Sequence, residues 1–206
     1  MSPSTEPTRA YAGAMAIQTE PTRVTPADAF IRAREIVQRG ERLDMLALAA
    51  ELGIARATLY RWTGDREQLL SDVLWTRVQA LFEHVVRTTS EHGADGLRGG
   101  TTRFLTQLAT AGELTQFLQI EGAAGLRLIT DHRGGVRPRL VDAIAGWIKR
   151  EVEDGYYRAP EDPQLLADGM VSLGERFLYH GGSVETNPDA DTASRMIALL
   201  IREAPV

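Results

Sequence analysis

The chain has 206 residues, 43% of them hydrophobic, 25% charged and 6% aromatic, which excludes a disordered or collagen-like polymer and suits one large or two small globular domains. It contains no cysteine, so disulfide scaffolds, thiolate metal sites and a cysteine nucleophile are excluded, and no apolar run reaches the roughly 18 residues of a membrane span. The net charge of −5 is uneven: residues 25–70 balance seven arginines against seven acidic side chains, the deficit lies beyond residue 70, and the sum identifies no partner.

Residues 1–24 are rich in Pro, Thr and Ala, carry TEPTR twice (Thr5 to Arg9 and Thr19 to Arg23) and show no apolar stripe, so a disordered arm is expected. No basic region followed by an apolar one opens the sequence, so no secretory signal is read and a cytoplasmic location is expected. From Thr25 the pattern turns to a period of 3.6. Thr25 suits an N-cap and Pro26 the first helical position; Ile36 and Val37 lie on the apolar side, and Gly40 ends the helix. Asp44 caps a second short helix that stops at Gly53, and a third runs from near Ala55 until Thr63, Gly64 and Asp65 break it. Asp65 opens a long helix, about 66–90, with Leu70, Val73, Leu74, Val78 and Leu81 repeating at three and four. Gly93 to Gly100 reads as a break. Further helices are expected near 101–111, 113–132, 137–155, 163–180 and 188–203, punctuated by Gly112, Gly134-Gly135, Gly155 and Gly181-Gly182. With no two-residue alternation in sight, the fold class is all-α: an arm over 1–24, a three-helix head over 25–70 and a helical domain over 71–206.

Residues 44–62 form two short helices joined through Leu52-Gly53-Ile54, the spacing of a helix-turn-helix. Ala49 is small where the helices cross, and Ile54 with Leu59 plugs the core made with the first helix. The third helix offers Arg56, Thr58, Tyr60 and Arg61. A forked guanidinium suits guanine, and the hydroxyl and phenol suit bases or phosphates, so this is the chemistry of a recognition helix in a major groove. The spacing alone also occurs in ordinary bundles.

The stretch LAAELGIARATLYRWTGDREQLL, residues 48–70, resembles the DNA-binding signature of the TetR (tetracycline repressor) family. The resemblance covers roughly residues 25–75 and implies a palindromic duplex operator as partner, a homodimer, and a C-terminal helical domain that takes a small-molecule effector. It places Arg56, Thr58, Tyr60, Arg61 and Trp62 on recognition-helix positions and Arg66 where a lysine usually contacts the DNA backbone. Thr63 stands where the family usually has an aromatic residue, with Trp62 one position earlier, either packed or on DNA. Met45 stands where a polar DNA contact is common, and Arg42 just upstream is the substitute. The segment LADGMVSLGERFLYHGGSVETNPDADTASRMIALLIR resembles an actinobacterial subgroup that includes a repressor of quorum-signal lactone degradation, which makes lactones the first effector candidates.

An effector pocket is expected between the long helix and those that follow, with Phe82, Phe104, Gln107, Phe117, Trp147 and Tyr179 as candidate walls, although aromatics at helical spacing also fill cores without a ligand. Gln107, Glu121 and Glu175 are the polar candidates, since an inward polar group needs a partner. The four histidines are scattered and no metal motif, nucleophile elbow, phosphate loop or dinucleotide fingerprint occurs, so neither a metal nor a cofactor nor an enzyme is expected. The alternative is a helical ligand-binding or scaffold protein without sequence-specific DNA binding.

Overall fold

Thr25 starts the helical part of the computed structural model, which describes residues 24–133, 135–179 and 188–203; the expected N-terminal arm lies outside them but for Val24. Among the described residues the structure is all-α, with no strand, and no helix is long and apolar enough to cross a membrane. The helices are α1 (Pro26–Gln38), α2 (Met45–Glu51), α3 (Arg56–Thr63), α4 (Arg66–Thr88), α5 (Gly93–Ala109), α6 (Gly112–Thr130), α7 (Arg137–Glu153), α8 (Pro163–Leu178) and α9 (Ala190–Ala198).

Among the first four helices, α1, α2 and α4 start at side-chain caps. Thr25 Oγ1 accepts the Asp28 amide while the Asp28 carboxylate accepts the Thr25 amide at 2.8 Å, a reciprocal capping box that holds the Asp28 carboxyl below its usual range. Asp44 accepts the Leu46 and Ala47 amides at 2.7 and 3.0 Å, and Asp65 accepts that of Gln68 at 2.8 Å. α3 has no such cap; its start is fixed by the preceding turn, where the Ile54 amide donates to the Ala49 carbonyl at 3.0 Å.

Three helices depart from expectation. α5 begins at Gly93 rather than near 101, about two turns early. The glycines that read as a break serve close packing: a Cβ on Gly100 would stand 2.4 Å from the Trp147 ring, so only glycine lets α5 lie against α7 there. Glu151 Oε2 accepts the Gly93 amide at 2.8 Å, anchoring the first turn from outside the helix. α9 ends at Ala198, short of the expected 203; beyond it the Leu199 and Leu200 amides bond back to the Met196 and Ile197 carbonyls in a tighter turn, and Tyr157 donates to the Arg202 carbonyl at 2.9 Å. α6 is broken within its span at Gly122, whose φ of 57° and ψ of −135° are non-helical.

Two apolar cores result. The head core joins α1, α2 and α3 through Ala33, Leu48 and Leu59, and is completed by Leu70 and Val73 of α4 and by Phe117 and Ile129 of α6. The body core gathers Phe82, Leu97, Phe104, Ile148, Met170 and Ile197 from α4, α5, α7, α8 and α9. Val78 and Tyr179 pack against both cores, so the long α4 joins head and body through continuous packing.

Candidate functional site

The solvent face of α3 follows from its register. Leu59 is fully buried, which turns Arg56, Ala57 and Arg61 outward and leaves Thr58, Tyr60 and Trp62 half-buried. Arg56 Nη2 donates to Tyr60 Oη at 3.2 Å, and its guanidinium carbon lies 5.2 Å from the tyrosine ring centroid. The stacked pair holds the guanidinium in place before any acceptor arrives. Arg61 has no hydrogen bond or ion pair to any described residue and is the freest cation of the helix. Trp62 packs on the head core with part of its surface open. Arg42, Arg56, Tyr60 and Arg66 share one shallow depression beside the start of α2, together with Asp44 and Leu46. Met45 is buried, and Leu46, 64% exposed, takes the outward position on α2.

Arg66 is otherwise engaged. Its Nε donates to the Leu43 carbonyl at 2.7 Å and its Nη2 to Glu121 at 2.5 Å, with the Glu121 side chain only 4% exposed. Arg66 and Glu121, expected in two different sites, form one ion pair between head and body. Glu121 is therefore outside the expected pocket.

That pocket is a small cavity of about 60 Å³ between α4, α5, α7, α8 and α9. Its volume holds a few water molecules; drug-sized ligands occupy roughly 300–1,000 Å³, so a ligand must move its walls apart. Phe82, Phe104, Trp147, Glu175 and Tyr179 all line it. Phe82 meets Phe104 and Trp147 edge to face, with centroids 5.7 and 6.0 Å apart. Gln107 is exposed, because the inward stripe of α5 runs through Leu97, Thr101, Phe104, Leu105 and Leu108 and leaves position 107 on the flank. Phe117 is buried, but in the head core.

The sequence reading did not single out Arg137. It is 3% exposed at the first position of α7, donates to Asp168 at 2.8 Å, to Ser172 at 2.9 Å and to Glu175 at 3.2 Å, and forms a polar corner of the cavity. Burial works against its charge, yet Asp168 and Glu175 outweigh burial and its pKa is raised. Glu175 shows the opposite balance: burial in the apolar wall lifts its carboxyl to about 7 although Arg137 pulls the other way. Burial, with Glu175 adding, also pushes the Tyr179 phenol above its ordinary range. A carboxyl near neutrality beside a phenol makes a corner that both donates and accepts hydrogen bonds. One clue to Arg137 was available: an inward Glu175 calls for a cation, and Pro138 marks the helix start where one stands. Among the described residues no group of three or more His, Asp or Glu side chains is placed to hold a metal ion.

A family model described as tetracyclin repressor-like, C-terminal domain, matches residues 92–202. Among solved structures, the chain is similar to the transcriptional repressor QsdR of the TetR family from R. erythropolis, with 25% identity and a TM-score of 0.80 over 90% of this chain and 98% of that one. It is also similar in fold to the transcriptional regulator FadR from Bacillus subtilis, solved in complex with stearoyl-CoA, with 12% identity and a TM-score of 0.51 over 86% and 98% of the two chains. No curated protein matches the sequence.

Proposed function

Because the chain belongs to the tetracycline-repressor-like family, whose C-terminal-domain model spans more than half of it, we propose that it is a homodimeric repressor that binds a palindromic operator and is released by a small molecule. The observation that carries this reading is the pairing, in one chain, of an outward α3 bearing Arg56, Tyr60 and Arg61 with a body built around a small apolar cavity with one polar corner. Residues 25–70 then act as the reading head and 71–206 as the effector and dimerisation domain. Similarity to a TetR-family repressor supports repression.

Apolar side chains left exposed on the last two helices, Leu165 at 61% on α8 and Met196 at 39% on α9, with Leu199 at 62% just beyond, support a dimer interface there. Two α3 helices so related would meet half-sites roughly 34–36 Å apart, one turn of DNA. Arg56 and Arg61 read bases; Thr58, Tyr60, Trp62 and Arg42 complete the contact with bases and phosphates. For Arg66, contact with the DNA backbone competes with its bonds to Leu43 and Glu121. The cavity suits an uncharged effector, because Arg137 already has three partners and an anion would arrive beside Glu175 and Asp168. A lactone meets this condition: its ring oxygens accept from a protonated Glu175 or the Tyr179 hydroxyl, and its chain enters the aromatic wall. Release requires only that the effector bind the DNA-free spacing more tightly than the DNA-bound one.

The test is selection from random duplex DNA at about 150 mM salt, where nonspecific phosphate attraction is weakened. A palindromic winner released by a lactone is the expected result. A folded dimer that enriches no sequence overturns the reading.

A further inference from the structure

A second void lies where head meets body. A groove of about 480 Å³ runs between α1, α4, the end of α5 and the start of α6, over an apolar floor that includes Val37, Leu74, Leu81 and Phe117. Val78 and Leu108 wall both this groove and the small cavity of the body, so the two voids lie back to back across these side chains. Three charges line the groove: Arg34 on α1, Arg77 on α4 and Glu113 on α6. Arg77 and Glu113 pair with each other, which leaves one guanidinium in excess.

That guanidinium is Arg34. It has no ion pair or hydrogen bond to any described residue, and its Nε is shut off from solvent without an acceptor. The carboxylates of α1 and its flanks are taken: Asp28 by Thr25, Glu35 by Arg32, which also holds Glu51, and Glu41 by Arg39. The Nε–H shut away without an acceptor is unfavourable, and the half-buried guanidinium it belongs to, with no carboxylate beside it, is left for an anion to satisfy. The size of the groove falls in the range of small-molecule sites, roughly 300–1,000 Å³, without any wall having to move.

We propose that this groove binds an anionic amphiphile, an acyl chain with a carboxylate head, the head on Arg34 and the chain along Val37, Leu74, Val78, Leu81 and Phe117. The charge requirement is the reverse of that in the small cavity of the body, where the guanidinium of Arg137 is satisfied internally. An occupant touches α1 of the head and α4 to α6 of the body at once, and so fixes one against the other.

The test titrates dodecanoate, below its micellar concentration, and dodecanol into the full chain by calorimetry without DNA, so the outcome does not depend on operator binding. Dodecanoate is expected to bind more tightly than dodecanol. Arg34→Gln is expected to weaken dodecanoate roughly ten- to hundredfold, the range of a charge-assisted hydrogen bond, and to leave dodecanol unchanged. Gln38→Glu changes an exposed side chain one turn along α1, gives Arg34 an internal carboxylate, and is expected to weaken dodecanoate in the same direction; this keeps the test independent of any folding effect at position 34. Ile144→Phe, which intrudes on the small cavity of the body, is expected to leave dodecanoate affinity as it was. Unchanged dodecanoate affinity in both Arg34→Gln and Gln38→Glu overturns the proposal, as does equal affinity for the two probes, loss of dodecanoate with Ile144→Phe, or no binding by the folded wild-type chain.

Discussion

Head and body place their polar chemistry in opposite environments. In the head the cations of interest, Arg42, Arg56 and Arg61, stand in solvent on a short stretch of sequence, and the core beneath them is apolar. In the body the polar groups of interest are buried, and α7 and α8 each contribute to one corner: Arg137 from the first, Asp168, Ser172 and Glu175 from the second. A solvated cation contributes little to stability and keeps its capacity for a partner; a buried ionic corner is bound up with the fold. Substitutions in the two regions should therefore separate cleanly, with stability changing in one and DNA affinity in the other.

The largest effect expected is at Arg137. Arg137→Ala leaves Glu175 in an apolar wall without its cation and removes a partner of Asp168 and Ser172, and breaking a buried pair in this way costs about 3–5 kcal/mol. Urea unfolding of the full chain should show this loss. A loss below about 1 kcal/mol, the worth of a surface pair, would remove the distinction between the two regions.

Next comes Glu175 and its dependence on pH. Its folded pKa, about 7, lies above the ordinary carboxyl value of 4.5, so its contribution is fully present below pH 4.5 and is lost as pH rises through 7. Glu175→Gln abolishes this titration and keeps an acceptor for Arg137. Wild-type stability relative to the variant should fall between pH 4.5 and 7 by on the order of 2–3 kcal/mol, then level off. A constant difference across that range would mean that Arg137, rather than burial, sets the state of the carboxyl.

The head gives the complementary outcome. Arg61→Ala should leave the unfolding curve within about 0.5 kcal/mol of wild type, as for an exposed side chain without a partner, and weaken operator binding by about 1–3 kcal/mol while relaxing one base position. Equal weakening on all sequences would make Arg61 a phosphate contact.

The same contrast explains what the sequence made legible. The helix-turn-helix could be read because its caps, turn and outward residues are local: Asp44, Gly53 and the Arg56–Arg61 run lie within one short stretch. Phe82, Phe104 and Trp147 were legible as inward aromatics, and the structure brings them together. Gln107, Phe117 and Glu121 share helical patterns with true cavity neighbours, but their destinations depend on how α5 and α6 rotate and on which core they meet, which periodicity does not specify. The glycines of α5 misled for a related reason. Intrinsic propensity disfavours glycine in a helix by roughly 1 kcal/mol, but the clearance needed by Trp147 is a property of two helices together. Arg137 lay hidden because its three partners are 31 to 38 residues away.

Arg66 and Glu121 cross the divide and give the smallest effect. The carboxylate belongs to the buried class, with 4% of its side chain exposed, whereas Arg66, 26% exposed, belongs partly to the solvated one. Glu121 precedes the break at Gly122, and Arg66 opens α4 while holding the Leu43 carbonyl ahead of α2, so the pair ties α6 to the base of the head. A double-mutant cycle of Arg66→Ala and Glu121→Gln should give a coupling energy of about 1 kcal/mol in unfolding, above the noise of additive sites and below the cost at Arg137. If the pair also positions the head, either single variant should shift operator affinity in the same direction, and the double variant by no more than the larger single shift. Additive losses of operator affinity would instead show that Arg66 contacts DNA on its own account, with Glu121 merely its resting partner.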